Sequence, residues 1–175
     1  MRPFILGIGG AHSGAGKTAV ACEILRRFAG WGAIKYTETS LYSCIIDDLS
    51  ALSEPGKDTK RFLDAGAEKV LWVRSPLSAL PEVLSMAGAM LTHLKGILIE
   101  GNSAIQVMKP DIVLYVSGDT ARSESGAARV RAMAQIVLFP EAFPKQIPDD
   151  IPGFPIYDIN GYIRLLKELL RKIGE

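Results

Sequence analysis

Gly9-Gly10-Ala11-His12-Ser13-Gly14-Ala15-Gly16-Lys17-Thr18-Ala19-Val20 is the stretch on which the reading of the whole chain turns. Counted back from Lys17, it fits G-x-x-x-x-G-K-[ST], with Ala11 where glycine is commoner and Gly10 directly beside it. Gly14 and Gly16 let the main chain curl so that successive N–H groups face one anion-sized hollow, which a side chain would obstruct. Upstream, residues 3–8 form a continuous apolar run of the kind buried on both faces as a strand. Downstream, residues 17–29 read as an amphipathic helix, whose N-terminal partial charge favours an anion. Strand, glycine turn and helix in that order set a phosphate loop apart from an ordinary glycine-rich turn. Lys17 is placed to reach β- and γ-phosphates and Thr18 to offer its hydroxyl to magnesium. The expected nucleotide-binding set is therefore Ser13, Gly14, Ala15, Gly16, Lys17, Thr18 and Ala19, with His12 as a partly exposed loop residue.

Further along, apolar runs of strand length alternate with helix-period stretches, the pattern of an α/β protein with a mostly parallel sheet. Strands are expected at residues 32–36, 68–73, 97–100, 112–116 and 135–139. Helices are expected at 58–65, ending at Gly66 as a left-handed cap, at 77–94 and at 123–133. A last helix in 157–173 places Ile159, Ile163, Leu166, Leu169 and Leu170 on one face. Residues 37–56, rich in Ser, Thr and Asp, read as irregular, and the Pro-rich stretch 140–155 as a surface connection. No internal repeat is visible, and residues 1–175 read as one nucleotide-binding domain with a three-layer fold: a central sheet flanked by helices.

Composition agrees with a soluble globule: 48% hydrophobic and 22% charged residues, with a formal net charge of +1. A chain that searches nucleic acid or lies on anionic lipid usually carries a larger basic excess, so neither partner is expected. No stretch approaches the roughly 18 apolar residues needed to cross a bilayer, and the opening apolar run is too short for a signal peptide, so the expected location is cytoplasmic. Cys22 and Cys44 match no zinc or redox spacing and read as reduced thiols, one in a helix and one in a loop. A metal role for Cys44 stays open.

Ligands of open α/β sheets sit at the carboxyl ends of the strands, which directs attention to the residue closing each apolar run. Glu100 ends Gly96-Ile97-Leu98-Ile99, where a carboxylate can bind magnesium or orient a nucleophile. Lys35 ends the second strand and could meet a phosphate or an acidic substrate. In Glu54-Pro55-Gly56-Lys57-Asp58-Thr59-Lys60-Arg61, Asp58 is either a helix N-cap or a contact to magnesium or the γ-phosphate, with Arg61 available to balance charge. Asp47 and Asp48 read as solvated loop acids, either of which could hold a magnesium-bound water. The candidate catalytic residues are thus Lys17, Glu100 and Asp58, the candidate magnesium ligands Thr18, Glu100 and Asp58, and the substrate or phosphate contacts Lys35 and Arg61.

The combination of AHSGAGKT, Ile34-Lys35, Pro55-Gly56-Lys57-Asp58-Thr59 with Arg61 and Ala65-Gly66-Ala67, Glu100-Gly101 and the closing Tyr157-Asp158-Ile159 resembles the molybdopterin-guanine dinucleotide biosynthesis protein B (MobB) family of P-loop NTPases. The resemblance implies a small GTP-binding adaptor for the molybdenum cofactor and its guanylyltransferase. It also implies that Lys17, Thr18, Asp58 and Glu100 serve nucleotide and magnesium, and that the protein is a homodimer. The same layout also resembles the dethiobiotin synthetase group, which implies ATP-dependent phosphorylation of a small carboxylic acid, and Gly101-Asn102-Ser103-Ala104 fits that pattern. A nucleotide-dependent metallochaperone is a third reading. No N-K-x-D string comes after the strands ending at Val116 or Phe139, so GTP rather than ATP rests on resemblance alone.

Overall fold

The computed structural model describes residues 2–118, 126–144, 147–148 and 150–175. Its elements, in chain order, are β1 (Phe4–Gly10), α1 (Lys17–Leu25), β2 (Trp31–Glu38), β3 (Cys44–Ile46), α2 (Leu49–Leu52), α3 (Asp58–Asp64), β4 (Val70–Ser75), α4 (Leu80–Ala89), β5 (Gly96–Glu100), α5 (Asn102–Met108), β6 (Ile112–Val116), α6 (Ala127–Ala132), β7 (Ile136–Phe139), β8 (Gly153–Pro155) and α7 (Ile159–Gly174). The strands form one sheet in the order β3-β4-β2-β5-β1-β6-β7-β8. Every pairing is parallel except that of β3 with β4.

Side-chain alternation along the central strands builds the three layers. Leu6 and Ile8 of β1, Leu98 of β5 and Ile112, Leu114 and Val116 of β6 pack with α1, α3 and α7. The intervening residues point the other way, Ile97 and Ile99 toward α4 and Val113 and Tyr115 toward α6. Gly9 lets that second layer close up on β1, because a Cβ there would lie 2.4 Å from Val130 Cγ1 and 2.8 Å from Asn102 Oδ1. The α/β architecture and the mostly parallel, helix-flanked sheet agree with the sequence pattern.

The departures have local causes. Residues 37–56 are not wholly irregular: they contain β3 and α2, each too short to show a hydrophobic period. Cys44 accordingly opens an edge strand instead of lying in a loop. The Pro-rich connection ends in β8, which extends the sheet beyond β7. After Glu100 and Gly101 the chain enters α5, a helix of seven residues that fully buries Ala104 and Ile105 and partly buries Val107 and Met108. The helix expected at 77–94 is shorter, Leu80–Ala89, with Pro81 in its first turn. Of the one expected at 123–133, Ala127–Ala132 is helical behind Gly126, while residues 123–125 lie outside the described residues. Gly66 adopts φ +92, as a left-handed cap requires.

Candidate functional site

The loop between β1 and α1 owes its shape to its glycines. Gly14 has φ +84 and Gly16 φ +101, and Gly16 is the N-cap of α1. A glycine cap offers no side chain to the first N–H groups of the helix, and a helix N-terminus of this kind favours an anion. Among the described residues, no heavy atom beyond its chain neighbours lies within 4 Å of where a Cβ on Gly14 would point. Lys17 Nζ curls back to donate to the His12 carbonyl at 2.7 Å. His12 itself is half-buried, with Nδ1 2.7 Å from the Ser13 carbonyl oxygen and Nε2 packed against Gly118.

The loop is anchored from below by Asn102. Its side-chain amide donates from Nδ2 to the Gly10 carbonyl and accepts from the Gly10 N–H, both at 3.0 Å. The last main-chain rung between these segments is Gly101 N–H to the Ile8 carbonyl, at 3.4 Å. Where β5 turns into α5, the Asn102 amide takes over the role of the missing peptide group. The sequence pattern includes Asn102 without assigning it this role; the only available signal is a polar residue two positions past a strand-end acid.

Beneath the loop, Thr18, Lys35, Asp58 and Glu100 meet. In the β2–β5 register Lys35 stands opposite Glu100, so both side chains leave the same face of the sheet. Lys35 Nζ lies 2.6 Å from Glu100 Oε1 and 2.7 Å from Asp58 Oδ2. The Thr18 hydroxyl donates to the Glu100 carboxylate, 3.1 Å from Oε1 and 3.0 Å from Oε2, and also reaches Asp58. Glu100 is 1% exposed, although its side chain ends in a carboxyl group. Burial opposes the charge on Lys35, but Glu100 and Asp58 outweigh it and hold the ammonium above the ordinary lysine value. Burial likewise works against ionised Asp58, yet Lys35, Thr18 and Arg61 keep its pKa below the usual carboxylate value.

Asp58 is the first residue of α3 and Lys57 its N-cap, without a side-chain capping bond, so the capping role is not the one the fold uses. Arg61, half-exposed one turn on, approaches Asp58 at 3.6 Å. The other loop acids are engaged elsewhere. Asp48 caps α2 by accepting from Ala51 N–H at 3.0 Å, and Asp47 pairs with Lys69 at 3.1 Å.

All these groups open onto a cleft of about 540 Å³ lined by Ser13, Gly14, Gly16, Lys17, Thr18, Ala19, Lys35, Asp58, Arg61 and Glu100, and further by Tyr36, Thr37 and Gly101. The nucleotide, magnesium and phosphate candidates, except for the buried Ala15, thus line one concavity at the carboxyl ends of β1, β2 and β5, whereas Asp47, Asp48 and Cys44 do not line it. The second group of lining residues, Tyr36, Thr37 and Gly101, had no assigned role from sequence.

In its fold the chain is similar to HypB from Helicobacter pylori, crystallised in complex with nickel, with a TM-score of 0.57 at 14% sequence identity over 97% of this chain and 86% of that one. This is the P-loop NTPase fold. LpxK from Aquifex aeolicus, crystallised in complex with ATP, is similar with a TM-score of 0.50 at 12% identity, over 99% of this chain and 69% of that one. No protein-family model and no curated protein matches the sequence. Identities this low carry the P-loop NTPase architecture and leave substrate and partner to the residues themselves. Among the described residues no helix is long and apolar enough to cross a membrane.

Proposed function

We propose that this chain binds a nucleoside triphosphate together with magnesium and cleaves its γ-phosphate, as a weak nucleoside triphosphatase. The observation that carries the proposal is the convergence of Thr18, Glu100 and Asp58 directly beneath a glycine loop that caps α1. Their oxygens are hard donors of the kind magnesium takes. No group of three or more His, Cys, Asp and Glu side chains clusters for a metal among the described residues. That fits an ion held by one or two carboxylates and otherwise by phosphate oxygens and water. Bound there, magnesium would neutralise charge on the β- and γ-phosphate oxygens.

The chain's own residues supply the rest. Main-chain N–H groups from Ser13 to Ala19 hold the phosphates in place. Lys17 Nζ swings from the His12 carbonyl to the β–γ bridge, where its charge offsets that developing on the leaving oxygen. An acceptor attacks in line at the γ-phosphorus, the bond to the bridging oxygen breaks, and Asp58 or Glu100 orients the attacking group.

The finer reading is the GTP-binding adaptor of molybdopterin-guanine dinucleotide assembly, a homodimer serving the molybdenum cofactor and its guanylyltransferase. The Pro55–Thr59 string supports it by bringing Asp58 to Lys35. A second reading, phosphorylation of a small carboxylic acid by ATP, draws support from the extension of the cleft past the loop to Tyr36 and Thr37, with Lys35 and Arg61 as cations for an acid. Phosphate release from MgGTP and MgATP, with and without molybdopterin or candidate acids, separates the two. A preference for GTP supports the adaptor, and strong stimulation by a small acid with ATP supports the ligase. No hydrolysis and no binding of either nucleotide would end both readings.

A further inference from the structure

Within the four-residue cluster under the loop, one ammonium of the protein itself already serves both carboxylates. Lys35 contacts one oxygen of each carboxylate, and its position comes from sheet register, not from a mobile loop: Lys35 and Glu100 are opposed on adjacent parallel strands, and Asp58 opens a helix packed against the same face. The Lys35 side chain is 20% exposed and that of Glu100 2%, so water screens the pair weakly. A divalent ion reaching for Glu100 and Asp58 therefore meets a partly buried ammonium already bonded to both.

We propose that Lys35 is an internal counter-ion that keeps the divalent-metal site closed until a triphosphate arrives. Two positive groups cannot share these carboxylates at close range without further negative charge. A triphosphate supplies it: its anionic oxygens, at the mouth of the same cleft, attract the Lys35 ammonium away from Glu100 and bring the metal with them. Metal binding is then coupled to nucleotide binding, and by linkage each strengthens the other. Meanwhile Lys35 satisfies Glu100, whose isolated charge would otherwise be costly at this depth. The inference rests on the reading of Thr18, Glu100 and Asp58 as the metal site, and it deepens that reading by assigning the order in which ligands enter.

The test is Mn²⁺ binding, monitored by electron paramagnetic resonance of the free ion, with thermal unfolding as a parallel readout. Wild type without nucleotide is expected to bind Mn²⁺ weakly, and to bind it tightly once a non-hydrolysable triphosphate is added. Lys35→Met without nucleotide should bind Mn²⁺ at least about tenfold more tightly than wild type, because the competing cation is gone. Its melting temperature should rise with Mn²⁺ where that of wild type does not. Adding Glu100→Gln to Lys35→Met should abolish the gain. Should Lys35→Met prove too unstable to purify, Lys35→Gln keeps a polar partner for Glu100 and serves the same comparison. Equal nucleotide-free affinity in wild type and the Lys35 variant would overturn the counter-ion role while leaving the nucleotide-dependent metal site standing. Failure of wild type to bind Mn²⁺ even with a triphosphate would remove the metal site and the inference with it.

Discussion

Asn102→Ala probes the support of the loop without touching any group in the cleft. The wild-type amide makes two hydrogen bonds of 3.0 Å to Gly10, one as donor and one as acceptor, and Asn102 is buried. Alanine leaves both the N–H and the carbonyl of Gly10 without that partner, next to Gly9, which is held close under Val130. An unpaired buried main-chain group costs about 1–3 kcal/mol, so two such groups, partly relieved by entering water, give a loss of roughly 2–4 kcal/mol. For a chain of this length each kcal/mol is worth about 2–4 °C, which converts to a fall in melting temperature of roughly 5–15 °C. Urea unfolding monitored by tryptophan fluorescence measures the loss directly, and triphosphate affinity should fall with it, because Gly10 leads straight into the loop. A stability within about 0.5 kcal/mol of wild type would refute the idea that this amide replaces a rung of the sheet.

Three further outcomes rest on the same structure. Lys17→Ala should abolish phosphate release while leaving the melting temperature close to wild type, because the Lys17 ammonium bonds to a carbonyl of its own loop; retained turnover would refute its assignment. Glu100→Gln should raise the magnesium concentration needed for half-maximal nucleotide binding by about 10–100-fold, and an unchanged titration would make Glu100 a bystander. Acid should weaken the clamp at the N-terminal end of β1. Hydrogen bonds from Arg2, then the Ile5 N–H, hold the Asp111 carboxyl below its usual value. A depressed carboxylate stabilises the fold above its unfolded pKa of about 3.9 and loses that contribution as pH falls through the folded value. The stability gap between wild type and Arg2→Ala should therefore be present near neutrality and close below about pH 4; a gap that persists in acid would mean the pair acts through packing instead.

The parts of the fold legible in the sequence are those whose signal repeats or has a single meaning. The buried strands β1, β5 and β6 are unbroken apolar runs, and Gly14, Gly16, Lys17 and Thr18 form a motif with one well-defined geometry. Lys35 and Glu100 could each be picked out as strand-end charges, but their pairing depends on β2 lying beside β5, which local pattern does not encode. The same holds for Asp58, whose position as the first residue of α3 looks like a cap until Lys35 is seen beside it. β3, β8 and α2 have three or four residues each, shorter than any period can reveal. Tyr162 is missing from the Ile-Leu stripe read in the sequence because a tyrosine does not count as aliphatic there, yet it is fully buried in the same core as Ile163, Leu166 and Leu170, and burial pushes its phenol up to about 12. Asn102 is hidden because its partner is main chain ninety-odd residues away.

The most direct test of the account is the amide spectrum of the protein as MgATP or MgGTP is added, with the loop resonances assigned. Hydrogen bonds from a phosphate should move the N–H signals of Gly14, Gly16, Lys17 and Thr18 together and saturably, and inorganic tripolyphosphate should move the same set. If nucleotide leaves those four signals in place, or shifts only residues outside the cleft, then the curled loop is not an anion site, and the function built on it falls.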